Sequence, residues 1–148
     1  MDVIISIKPT WCKKIISGEK TTEVRKTRPC NISTPFRMFI YASFGGENWF
    51  RYGKWMSGHV IGEAKCGAIL QYNMNEAGTA LLSKSSCVDP SDLYKYADGM
   101  PWLYGWKIND FELYENPLPL KYFTDSKGNV LKKPPQSWKY ANLKWYTD

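Results

Sequence analysis

The chain has 148 residues, a formal net charge of +6, 43% hydrophobic and 23% charged residues. That length supports one domain with its own core and needs no disulfide or metal staple. No apolar run is long enough to span a bilayer, and Met1-Asp2-Val3 opens no secretory leader, so the expected setting is cytoplasmic.

Val3-Ile4-Ile5-Ser6-Ile7-Lys8 places Val3, Ile5 and Ile7 on one face and Ser6 and Lys8 on the other, the pattern of a half-buried strand. Pro9 suits the first turn of a helix, where its missing N–H would have had no partner. Trp11 with Ile15 and Cys12 with Ile16 give that helix, over 9–17, an apolar stripe. Gly18 stops it in the left-handed region. The strand that follows carries Thr21, Glu23, Arg25 and Thr27 on one face and Thr22, Val24 and Lys26 on the other, because residues two apart share a side. A face holding Glu beside Arg is either a solvated edge or the polar floor of a cleft.

Further strands are expected over 36–42, 59–70 and 100–114. Gly45-Gly46 opens a loop bearing Trp49, Phe50, Tyr52 and Trp55, and four aromatics exposed together would suggest a ligand. Asp89 as N-cap with Pro90 at the first helical position starts a second, short helix. An extended, proline-bearing approach over 131–138 leads into the C-terminal segment. Short strands with two helices point to an α+β fold with a closed or nearly closed sheet.

Charge is unevenly spread. Residues 1–28 hold seven Lys/Arg against three Asp/Glu and residues 121–148 six against two, while the stretch between holds seven against nine. Terminal strands of barrel-like domains are often neighbours, so these ends could merge into the basic face of a polyanion binder. The same lysines would equally serve solubility.

The run Ile5-Ser6-Ile7-Lys8-Pro9 followed by Gly18-x-Lys20-x-x-Glu23-x-Arg25 resembles the ASCH family. Leu103-Tyr104-Gly105-Trp106 and Lys133-Pro134-Pro135-Gln136-Ser137-Trp138 also look like stretches of phage and bacterial members. The similarity covers nearly the whole chain, its middle held by strand pattern alone. It implies a single PUA-like domain over 1–148, a mixed β-barrel with a short helix between its first two strands. It also implies a cleft for RNA or a modified nucleotide. A role in RNA metabolism or translation regulation would follow, with no cofactor and a monomer or weak dimer.

In such a cleft Lys8, Lys20 and Arg25 would meet phosphate, and Glu23 would read a base edge or simply pair with Arg25. Tyr104 or Trp106, two apart on one strand face, would stack a base or lie in the core. Ser137 and Trp138 would close the cleft. The alternative is a hydrolase, with Lys20 as its catalytic residue. Some ASCH proteins hydrolyse N4-acetylcytidine with a threonine, a lysine and a glutamate, and others are described as ribonucleases. Their threonine stands three residues after the motif lysine, where this chain has Glu23; Thr21 or Thr22 would have to substitute. His59 is the only histidine, and no nucleophile elbow, P-loop or dinucleotide fingerprint is present. Cys12, Cys30, Cys66 and Cys87 lack zinc-ligand spacing and read as free thiols, so no metal is expected.

Overall fold

The computed structural model describes residues 1–144, so the last four residues of the basic C-terminal segment lie outside the described residues. In chain order the first elements are β1 (Asp2–Ile7), α1 (Pro9–Ile16), β2 (Thr22–Arg25) and β3 (Phe36–Ala42). A hairpin of β4 (Phe50–Arg51) and β5 (Lys54–Trp55), then β6 (His59–Cys66) and β7 (Ile69–Asn73), come next. They are followed by α2 (Glu76–Ser86), α3 (Pro90–Ala97), β8 (Trp102–Lys107), β9 (Asn109–Leu118), β10 (Phe123–Thr124) and β11 (Trp138–Leu143). The fold is α+β with mixed sheets.

β1 runs parallel to β3 and antiparallel to β11, so it is central rather than half-buried. Val3, Ile5 and Ile7 enter one apolar cluster with Cys12 and Ile15 of α1 and Trp106 of β8. Ile4, on the opposite face, joins Phe39, Val60 and Phe123 in a second cluster. A strand covered on both faces needs a near-continuous apolar run, which Val3-Ile4-Ile5 supplies.

The sheets do not close into a barrel. Six strands lie in the order β10-β11-β1-β3-β6-β9, three in the order β2-β8-β7, and β4 pairs only with β5. The reason lies in two breaks. The strand expected over 59–70 divides at Gly67-Ala68, and the one over 100–114 divides at Ile108, shortly before Asp110 turns left-handed at φ +52°. In each case one half joins the large sheet and the other the small one.

α2 has no counterpart among the elements expected from the sequence. Its N-cap Asn75 accepts a hydrogen bond from the Gly78 N–H at 2.8 Å, and its end is the left-handed Cys87. Leu82 of α2, Leu93 and Ala97 of α3, and Leu103 of β8 form a third cluster beside the small sheet. Among the described residues no helix is long and apolar enough to cross a membrane.

Candidate functional site

β2 is fixed at its start by the backbone. Gly18 takes φ +84°, the left-handed turn that ends α1, and Lys20 N–H then bonds back to the Lys14 carbonyl at 3.0 Å. Thr21 N–H reaches the Ser85 carbonyl at 2.9 Å, tying the turn to the end of α2. Pairing of β2 with β8 sets Glu23 opposite Trp106 and Arg25 opposite Tyr104. Glu23 and Arg25 accordingly share a side, as residues two apart on a strand must.

The three motif charges meet in one buried network. Lys20 Nζ lies 3.2 Å from Glu23 Oε1, and Arg25 Nη2 lies 2.6 Å from Glu23 Oε2. Lys20 also donates to the Ser86 carbonyl at 2.8 Å, and its Nζ sits 5.0 Å over the Trp11 ring. Ser86 is the last residue of α2, where carbonyls lack helical partners and the helix dipole favours a cation. Arg25 donates further to the Ser6 carbonyl at 2.7 Å and to Ser137 Oγ at 3.0 Å. Burial works to raise the Glu23 carboxyl, but Arg25 and then Lys20 outweigh it and hold the group below the usual carboxylate range. Two cations against one carboxylate leave this nearly dry floor with a net positive charge.

Above the network opens a cleft of about 450 Å³, within the ordinary range of small-ligand sites. Trp11 of α1 and Leu93 and Tyr96 of α3 contribute to its walls, together with the extended run Pro134-Pro135-Gln136. Lys8, the exposed N-cap of α1, stands at its rim with its alkyl stem against Gly45. Asp92, one helical turn before Tyr96 on α3, also faces it.

Lys8, Lys20, Glu23 and Arg25 are thus brought together, with Ser137 holding Arg25. Lys20 lines the cleft but has a side chain only 1% exposed, so it supports the floor rather than presenting a free ammonium. Both carboxylate oxygens of Glu23 are occupied by cations, which leaves it unsuited to reading a base edge.

Trp106 is a correction. It is fully buried, edge-on to Phe36 and Trp138 with ring centroids 5.9 and 5.6 Å away, and donates from Nε1 to the Thr27 carbonyl. Tyr104 packs against the same cluster. They share a sheet face with Glu23 and Arg25, but both pack into that cluster and neither lines the cleft. Trp138 does not close the cleft either: its Nε1 donates to Thr27 Oγ1 at 2.9 Å and its ring meets Tyr140. Pro134, Pro135 and Gln136 form that wall instead. In the Gly-bounded loop Trp49 is buried, while Phe50, Tyr52 and Trp55 are exposed outside the cleft.

The sequence reasoning missed Trp11, Asp92 and Tyr96 as cleft residues. Asp92 and Tyr96 carried a usable signal, the i,i+4 spacing on a helix whose Leu93 and Ala97 form the buried face. Among the described residues no group of three His, Cys, Asp or Glu is placed to hold a metal ion.

The architecture is similar to crystal structures of ASCH from Zymomonas mobilis. The unmutated protein aligns at a TM-score of 0.71 and 25% identity, covering 94% of this chain and 86% of that one. Two of its mutant proteins align at the same TM-score with 23% and 24% identity, covering 87% and 88% of their chains. The chain has the ASCH fold, and this likeness supports the family resemblance carried by Gly18-x-Lys20-x-x-Glu23-x-Arg25. No protein-family model matches the sequence, and no curated protein matches it.

Proposed function

We propose that the protein is an RNA- or nucleotide-binding module that receives one nucleotide of a single strand in this cleft. The observation that carries the reading is the buried Lys20–Glu23–Arg25 network, two cations to one carboxylate, flooring a cleft of nucleotide size. Arg25 keeps donor capacity beyond its three present partners, since a guanidinium has five N–H groups. It meets one phosphate of the strand, and Lys8 at the rim meets the next. Trp11 and Tyr96 offer ring surface to the base, a contact contributing roughly 1–3 kcal/mol. The ASCH architecture agrees with an RNA ligand.

Hydrolysis of a modified nucleoside has less support. Glu23 occupies the place of the nucleophilic threonine and is held by two cations. Thr22 is buried and accepts from Lys107 Nζ at 3.3 Å, and Thr21 is tied to the Ser85 carbonyl; neither lines the cleft.

Fluorescence anisotropy with short labelled single-stranded RNA, repeated over a salt series, tests the binding reading. Two phosphate contacts predict a slope of log K against log salt of about −1.4, at about −0.7 per phosphate. Replacing Lys8 by Ala should remove about 0.7 of that slope and weaken all sequences alike. Undetectable wild-type binding at low salt, across RNA and single-stranded DNA of several sequences, would overturn the proposal.

A further inference from the structure

The polar groups around the cleft divide sharply by whether the protein already uses them. Lys20, Glu23 and Arg25 hold one another, and Ser6 Oγ donates to the Pro135 carbonyl at 2.7 Å. Lys8 and the remaining Arg25 N–H groups can only donate. Ser43 accepts a 3.3 Å hydrogen bond from the Gly45 N–H, and like Gln136 it can both donate and accept, so neither discriminates between bases. Asp92 is different. Among the described residues its carboxylate makes no ion pair or hydrogen bond, although it lies on the cleft in the first turn of α3. Its neighbour one turn on is Tyr96, an aromatic ring on the same cleft.

An ionised carboxylate is an acceptor-only group with two oxygens side by side. The base edge that complements it presents two donors side by side. Guanine does so with its ring N1–H and exocyclic N2 amino group. Cytosine and adenine place a ring acceptor next to their amino group, which repels a carboxylate, and uracil flanks its single N3–H with two carbonyls. Bases of single-stranded RNA are open to reading on this edge.

We infer that Asp92 reads the Watson–Crick edge of a guanine lying against Tyr96, so that the cleft selects guanine nucleotides. The inference rests on the nucleotide-binding reading above and names the ligand of that same site. It also gives α3 a second task beyond packing Leu93 and Ala97 into the core: presenting an acceptor and a ring one turn apart.

The test is competition of GMP, IMP, AMP, CMP and UMP against a labelled single-stranded RNA at low salt. GMP should compete about tenfold better than AMP, CMP or UMP, the scale of one good bidentate base contact. IMP, which keeps N1–H and lacks the amino group, should fall between. Asp92→Asn should reduce the affinity for GMP by about tenfold and change the other three by less than about twofold. Asp92 is exposed, so the variant should melt as the wild type does, and Asp92→Ala should flatten the preference in the same way. Equal competition by all five nucleotides, or a guanine preference that survives in Asp92→Asn, overturns this inference while leaving nucleotide binding standing. Failure of every nucleotide and of the RNA itself overturns both.

Discussion

Glu23 is the residue on which the site's stability turns. It is the one carboxylate between the buried Lys20 and the partly buried Arg25, and removing one member of such a group costs far more than the group contributes net. Glu23→Gln leaves Lys20 and Arg25 uncompensated and should cost about 3–5 kcal/mol in urea unfolding. A loss below about 1 kcal/mol would mean that solvent, not Glu23, balances the two cations. The pH dependence follows from the sign of the shift. Because the folded carboxyl lies below its unfolded value of about 4.3, its stabilisation is present above that pH and lost as pH falls through the folded pKa. Wild-type stability should therefore fall in that acid window, and Glu23→Gln should lack this component. The shared face of Glu23 and Arg25 was legible from a period of two. The burial of Lys20 was not, because its partner Ser86 is a backbone carbonyl sixty-six positions away at a helix end.

At the scale of elements, periodicity exposed those with a clean apolar pattern and missed those without one. α1 could be read from its Pro9 start, its stripe and Gly18. α2 could not: Gly78, Thr79, Ser83, Ser85 and Ser86 fill it with weak helix formers, and Leu82 is its one large fully buried side chain. The barrel expectation failed for a related reason, since the runs 59–70 and 100–114 each contain a break that sends their halves to different sheets. Gly62 in β6 marks one place where the strands demand a missing side chain. A Cβ there would run into the Glu112 carbonyl and come within 3.0 Å of the Phe111 ring, at an irregularity in the β6–β9 pairing. Gly62→Ala should lower stability by about 1–3 kcal/mol through displacement of β9. An unchanged urea midpoint would show that β9 gives way without cost.

Across the molecule, the antiparallel pairing of β1 with β11 makes neighbours of the two basic ends. Lys8 stands at one side of the cleft, and exposed Lys132 and Lys133 lead directly into its Pro134-Pro135-Gln136 wall. The two net-basic segments are thus adjacent in space, whereas the aromatics singled out in the sequence as ligand contacts do not line the cleft. Trp106 lies in the core with the partly buried Trp138 packed against it, and Phe50, Tyr52 and Trp55 lie on a hairpin away from the cleft. Strand spacing alone cannot separate a stacking platform from a core face, because both use alternating large rings. Amide and indole NMR shifts during titration with a short single-stranded RNA test the central claim most directly. The account predicts that the largest changes fall on Lys8, Trp11, Arg25, Asp92, Tyr96 and Gln136. Changes centred instead on the second cavity, lined by Ile32, Arg37 and Glu63, or on the exposed hairpin, would contradict it.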